Sequence, residues 1–282
     1  MIFDRILVVY KKSNYEKYIL EDHYLKLKKH KALTKPLLDS HRNHYRSLER
    51  VEKTLKDLGL KFTMMVRSNT FSEKNFDLVI SVGGDGTFLD ASQFMINKPL
   101  LGINSNPVES IGHFCPIVSK QLHAFLQKRS FPVTLISRLK VKIDGKVQAP
   151  VLNDALICNI HPASTSRYTI QIGGKKEEQK SSGIWVSTSM GSTAAIRGAG
   201  GRLLDYRGSK FQIKIREPYI QKGRKTDLDR IVLSEKDEVK VLSKMRDGMV
   251  YMDGTKRVCP FIFGSRLVIS GDAPKLKMLG KK

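Results

Sequence analysis

The feature that most constrains the fold is a change of hydrophobic period partway along the chain. Before about residue 131, short apolar runs alternate with stretches of helical spacing. "RILVVY" (5–10), "FTMMV" (62–66), "DLVISV" (77–82) and "LLGIN" (100–104) read as strands. Between them, "RSLERVEKTLKDLGLKF" places Leu48, Val51, Leu55 and Leu58 on one helical face, with Gly59 closing the helix. A helix beginning near Gly86 or Thr87 carries Phe88, Leu89 and Phe94, and "KQLHAFLQKRS" turns Leu122, Phe125 and Leu126 inward. Residues 11–45 are polar, basic and histidine-rich, and read as helix and loop. Such alternation implies a parallel α/β layer structure. After 131 the period falls to two. "LKVKI" meets "DG" and then "KVQAPVL", a hairpin signal, and "YTIQI", "FQIKI", "DEVKVLS", "GMVYM" and "RLVIS" leave little room for helices. The expected domains are 1–131, α/β, and 132–264, mainly β. The segment 265–282 is left open to return its last strand to the first domain.

The 282 residues suffice for two such domains. No apolar run reaches about 18 residues, so no membrane span is expected, and "MIFDRILVVY" does not read as a secretory signal. Three widely spaced cysteines fit a reducing compartment, the cytoplasm or an organelle matrix, with no disulfide frame. His41 and His44 are spaced to share a helix face, which reads as solvated rather than as a zinc site; no protein metal site is expected. The net charge of +23 implies polyanions: nucleic acid, an acidic membrane surface or phosphorylated small molecules. Lys and Arg are spread along the whole chain, and charge alone does not choose among these.

Local chemistry does. In "SVGGDGTFLDAS" (81–92), Gly83, Gly84, Gly86 and Thr87 follow a strand and open a helix, an arrangement that brings backbone N–H groups to a diphosphate or triphosphate. Asp85 is out of place in a site built only to attract anions. It makes sense if it takes a proton from an attacking hydroxyl; the alternative is an Asp-Gly turn. "SSGIWVSTSMGSTAAIRGAGG" (181–201) runs from a strand into a loop in which Ser187, Thr188, Ser189, Ser192 and Thr193 supply hydroxyls and Gly191, Gly198, Gly200 and Gly201 supply room for a nucleotide; the alternative is a flexible loop. "VLNDALI" (151–157) places Asn153 and Asp154 inside an apolar strand, where buried polar groups want partners, although an Asx turn explains them as well. No P-loop, protein-kinase or G-x-G-x-x-G signature occurs.

Together, "GGDGT", "ND" and "G-x-x-x-S-T-x-x-G-S-T-A" resemble the NAD kinase family in order and approximate spacing, over nearly the whole chain. "GINSNPVESIGHFCP", "SRYTIQI" and "STSMGSTAAIRGAGG" look most like the branch holding plant NADH kinase and the mitochondrial NAD kinases. "GGDGT" by itself is shared with diacylglycerol, sphingosine and phosphofructo-kinases, so a lipid kinase is the alternative enzyme and a non-catalytic nucleotide-binding protein the alternative of another class. The resemblance implies ATP-dependent phosphorylation of the adenosine ribose 2′-hydroxyl of NAD⁺ or NADH, giving NADP(H), with Mg²⁺ or another divalent cation on the nucleotide. It implies an N-terminal Rossmann-like domain, a C-terminal β-sandwich that binds NAD, a site in the cleft, and a homodimer or homotetramer without nucleic-acid or membrane partners. By the same match Asp85 is the base, Gly86 a dinucleotide contact, and Asn153 and Asp154 bind the adenosine or ribose end. Thr193, Ala194 and Ala195 line base pockets, and Arg167 and Lys180 fall where further dinucleotide contacts occur. The chain departs from the family pattern at Ser182 (often Asp), Ala195 (often Tyr) and Gly198 (often Ser). Losing an anion and an aromatic there is expected to weaken, several-fold, the preference for a cationic, oxidised nicotinamide.

Overall fold

The computed structural model describes residues 3–21, 30–128, 130–219 and 227–280. The chain forms two compact units, residues 1–134 with 276–282 and residues 135–275.

In the first unit, β1 (Arg5–Tyr10), β2 (Lys61–Val66), β3 (Leu78–Gly83) and β4 (Pro99–Asn104) are parallel, and β19 (Leu276–Leu279) joins β4 in parallel. The strand order is β2-β1-β3-β4-β19-β6, with β6 at Val133–Ile136 and the two-residue β5 (Ile117–Val118) paired to β4. Every residue of β3 is buried, as expected for a central parallel strand covered on both faces. Helix α1 (Lys31–Asp57) is longer than the sequence pattern implied and starts well before Leu48. Its buried stripe is His44, Ser47, Leu48, Val51, Thr54 and Leu55. His44 is therefore not on a solvated face. Its ring bonds the Lys11 carbonyl through Nε2 at 2.8 Å and Ser105 Oγ through Nδ1 at 2.9 Å, and burial lowers its pKa to about 4. His41 also turns inward, to Ser13 Oγ at 2.7 Å. Two polar spots in the helix thus tie α1 to the loops after β1 and β4. Gly59, at φ +66°, ends α1 as expected, with the Leu60 N–H returning to the Leu55 carbonyl at 3.0 Å.

The second unit is two six-stranded antiparallel sheets. One runs β11 (Lys175–Ser181), β10 (Ser166–Ile172), β15 (Val239–Ser243), β18 (Arg266–Ser270), β7 (Lys140–Ile143), β8 (Lys146–Val147). The other runs β14 (Arg230–Leu233), β13 (Phe211–Arg216), β12 (Gly183–Thr188), β9 (Asp154–Asn159), β16 (Gly248–Met252), β17 (Arg257–Pro260). Their inner faces share one core in which Val141, Tyr168, Ile170, Val241 and Ile269 meet Ile157, Ile184, Val186, Ile213 and Val250, which makes the unit a β-sandwich. Asp144 and Gly145, both at positive φ, form the turn that "DG" signalled. β18 pairs with β7 and β15 in this unit, and only the strand after it, β19, lies in the first.

Candidate functional site

In the first unit, β3 ends at Gly83 and helix α2 (Asp85–Ser92) begins two residues later, with Gly84 as its N-cap. The strand–glycine–helix reading of "GGDGT" holds, with the helix starting at Asp85. A Cβ on Gly83 would collide with the Thr87 side chain, so that position demands glycine for space, while one on Gly84 would stand 2.9 Å from Ser110 Oγ and require that hydroxyl to turn aside. The Thr87 N–H already bonds the Gly84 carbonyl at 2.9 Å, which leaves the N–H groups of Asp85 and Gly86 without a partner within the helix. Thr87 is buried, and its hydroxyl lacks a partner among the described residues.

Asp85 does not sit in an Asp-Gly turn. Its Oδ1 accepts the Phe114 N–H at 2.8 Å and its Oδ2 the His113 N–H at 3.1 Å. The segment "GINSNPVESIGHFCP" is what makes this possible. Asn104 Nδ2 bonds the Ser110 carbonyl at 2.8 Å, Gly112 turns at φ +64° against Asn104, and Phe114 stacks on Phe88 of α2 with ring centroids 5.4 Å apart. Each carboxylate oxygen keeps lone-pair capacity beyond its one N–H bond, so a fixed carboxylate remains able to accept a proton. Cys115, beside it, is pushed up to about 12 by burial and by Asp85, which leaves it an unreactive thiol.

In the second unit, Asn153 precedes strand β9 and Asp154 is its first residue. Asn153 Nδ2 donates to Asp154 Oδ2 at 3.2 Å. The residue that organises this pair was not legible in the sequence. Asp253, in the turn after β16, accepts the Leu152 and Asn153 N–H groups at 3.0 and 2.6 Å and pairs with Arg257 at 3.0 Å, its side chain only 1% exposed. Burial and, second, the Asp253 charge push the Asp154 carboxyl up to about 7. A desolvated acid of this kind needs a partner at neutral pH.

Asp154 lines a cavity of 390 Å³ with Leu156, Trp185, Tyr251, Ser182 and Arg216 among its walls. Ser182 also lines a second space of 500 Å³ with Arg167 and Lys180, which face each other across β10 and β11. The structure thus brings Asp154, Ser182, Arg167 and Lys180 to adjoining hollows of suitable size for an organic ligand. Ser182 stands beside a cation, since Arg216 Nη1 donates to its carbonyl at 3.5 Å.

The hydroxyl-rich loop corrects one expectation. Ser187 and Thr188 donate to the carbonyls of Leu152, Asn153 and Thr188 itself, Ser189 to that of Gly208, and Ser192 bonds the Leu204 backbone. Buried and internally satisfied, Ser187 and Thr188 hold the Asn153 segment and Ser189 and Ser192 the 204–208 segment, instead of offering hydroxyls to a ligand. Gly191 packs so closely on the Asn153 carbonyl that no side chain fits. Thr193, Ala195 and Gly198 are exposed and Ala194 half-buried, where helix α3 (Ala195–Gly198) begins; they line neither hollow. Among the described residues, no group of three or more His, Cys, Asp or Glu is placed to hold a metal ion.

The family model described as ATP-NAD kinase N-terminal domain matches residues 10–134. A protein of Oryza sativa subsp. japonica named probable NADH kinase is 34% identical over 230 residues, covering 72% of this chain and 70% of that protein. The fold is similar to that of an Archaeoglobus fulgidus NAD kinase solved in complex with ATP, with a TM-score of 0.70 at 22% identity over 97% of this chain and 92% of that one. It is also similar to yeast NADH kinase complexed with NADH, with a TM-score of 0.67 at 14% identity over 100% of this chain and 85% of that one. With the plant relative matched over more than two thirds of its length, and with "GGDGT", "ND" and the serine-rich segment built as described, the chain belongs to the NAD kinase family.

Proposed function

We propose that the protein is an NAD(H) kinase, transferring the terminal phosphoryl group of ATP to the adenosine ribose 2′-hydroxyl of NAD⁺ or NADH. The single observation that carries the chemistry is Asp85, a carboxylate fixed by two backbone N–H groups at the head of a glycine-lined helix. Asp85 takes the hydroxyl proton as the ribose oxygen bonds to the γ-phosphorus and the bond to the β-phosphate oxygen breaks, releasing ADP. Gly83, Gly84, Gly86 and Thr87 receive the phosphates, and Mg²⁺ comes bound to the nucleotide. Gly86, Asn153, Asp154, Arg167, Lys180, Ser182, Thr193, Ala194, Ala195 and Gly198 contact the dinucleotide. Homo-oligomerisation and a reducing compartment complete the reading. The latter agrees with three free cysteines, and no described helix is long and apolar enough to cross a membrane.

A coupled assay with NAD⁺ and with NADH, each with ATP and Mg²⁺, tests this, and the expected outcome is 2′-phosphorylation of at least one. NADH is expected to serve at least as well as NAD⁺. Ser182 carries no anion, and Arg216 beside it disfavours a cationic ring. Restoring an anion with Ser182→Asp should move the kcat/KM ratio several-fold toward NAD⁺, since one partly exposed contact is worth about 0.5–1 kcal/mol. A wild-type preference for NAD⁺ above about tenfold would mean that another group holds the charged ring.

A further inference from the structure

Lys11 and Arg67 are the residues immediately after β1 and β2, and "GGDGT" follows β3. In the order β2-β1-β3-β4 the chain moves from β1 outward to β2 and then back past β1 to β3, so the direction of winding reverses between β1 and β3. In open parallel sheets, ligands settle beyond the carboxyl ends of the strands at such a reversal. Here that edge carries two cations. The Arg67 N–H is tied to the Tyr10 carbonyl at 2.7 Å, and Arg67 Nη1 lies so near the head of α2 that a Cβ on Gly86 would be 3.4 Å from it. Arg67 Nε is buried without a partner, and Arg67 makes no ion pair among the described residues. Lys11 is half-buried and also makes no ion pair among the described residues. Burial, then the charge of Arg67, lower its pKa, and Lys17 adds to this while Glu109 opposes it. Glu109 is itself engaged by Asn106 Nδ2 at 2.9 Å. Beside Lys11 opens a cavity of 210 Å³ lined also by Ser13, Asn14, Ser40 and His44. His44 is held neutral there and adds no charge.

Two cations brought together, partly desolvated and without full counter-charge, are a cost to the free protein that a bound polyanion removes. Thr87, buried at the head of α2 with an unpartnered hydroxyl, and the Asp85 and Gly86 N–H groups, which have no partner within that helix, point to the same ligand chemistry. We infer that Lys11 and Arg67 bind the phosphate chain of the phosphoryl donor, a di- or triphosphate, at the carboxyl edge of β1 and β2. The assignment rests on the kinase reading only for the donor's identity. Arg67 supplies a forked donor and Lys11 a point charge, and neither takes a proton in the reaction.

The test is calorimetric titration of the full chain with inorganic tripolyphosphate and, separately, with ATP and Mg²⁺. Wild type is compared with Lys11→Met, Arg67→Met, Arg67→Lys and, as a control in the second unit, Lys142→Met. Each methionine variant should weaken binding about tenfold or more, Arg67→Lys less, and the control not at all. Without ligand, the methionine variants should melt at the wild-type temperature or above it, because a repelling charge has gone; a residue with a merely structural role would melt lower. Tripolyphosphate and ATP binding alike shows that the chain of phosphates is recognised; ATP alone shows that the nucleoside is also needed. The inference falls if wild type binds neither, or if the variants bind as wild type does. If the variants lose affinity but wild type phosphorylates neither NAD⁺ nor NADH, the inference stands and the kinase reading falls. If wild type is an active kinase and the variants keep its KM for ATP, the reverse holds.

Discussion

At the scale of single residues, two carboxyl groups stand in opposite surroundings, one gripped by backbone N–H groups and the other desolvated beside a second carboxyl. Asp85 meets two N–H groups, and Asp85→Asn keeps one acceptor oxygen of the two. We expect a small loss of stability and a fall in kcat of about 10²- to 10⁴-fold, measured with saturating dinucleotide; unchanged turnover would remove Asp85 from the proton transfer. Asp154 is instead held up to about 7 by burial and by Asp253. In the unfolded chain it titrates near 3.8, so between the two values the native state binds the extra proton and this group makes stability fall as pH rises. Asp154→Asn removes that loss. The melting temperature of the variant minus that of wild type should be near zero at pH 4 and grow to a plateau above pH 7. The gain is about 1.4 kcal/mol for each pH unit of separation. A difference flat across pH would show that Asp154 is not desolvated in solution.

At the scale of elements, α1 is fastened by a histidine where its apolar stripe offers only packing. His44 reaches the backbone after β1 and the Ser105 side chain after β4, so one ring sets the distance between helix and two strand ends. His44→Leu fits a buried stripe yet strands the Lys11 carbonyl and the Ser105 hydroxyl, at about 1–3 kcal/mol for each buried group left unpaired. The folded pKa of about 4 lies below the usual 6.5, so the stabilisation is complete above pH 6.5 and is lost as pH falls toward 4. Urea melts at pH 7 and pH 5 should therefore show a larger penalty for His44→Leu at pH 7. An equal penalty at both would mean that the ring is not held neutral. The loop after β4 acts similarly, since Asn104 at the end of the strand and Gly112 in the loop shape the backbone that grips Asp85.

At the scale of the whole molecule, the last strand closes the first sheet long after the chain has left it. Leu276, Met278 and Leu279 of β19 are fully buried beside β4. Losing three such side chains removes roughly 1.5–3 kcal/mol each, comparable to the 5–15 kcal/mol that holds a typical domain together. Deleting residues 276–282 should abolish the helical circular-dichroism signal of α1 while leaving a β-type spectrum. A full helical signal with an unchanged melt would refute the closing role. The net charge of +23 also belongs to this scale. It raises the local concentration of phosphorylated ligands in a salt-dependent way, without choosing where they bind.

The sequence by itself determined the two textures of the chain, the buried strands of the first sheet, the glycine punctuation at Gly59 and Asp144–Gly145, and the strand–glycine–helix form of "GGDGT". All of these rest on interactions within a few residues: hydrophobic period, positive φ and the absence of a Cβ. The tertiary structure alone decided the rest. Asp253 read as an ordinary turn residue, yet it orders Asn153, a hundred positions earlier; four hydroxyls that looked available to a ligand are consumed by carbonyls of distant segments; and His44 is buried, not solvated. Lys11 and Arg67 lie 56 positions apart (67 − 11) and share one sheet edge only because β1 and β2 are parallel neighbours in register. Hydrogen bonds and charges act over a few ångströms of space whatever the separation along the chain, so the partners of a polar side chain are fixed by topology, which no local pattern encodes.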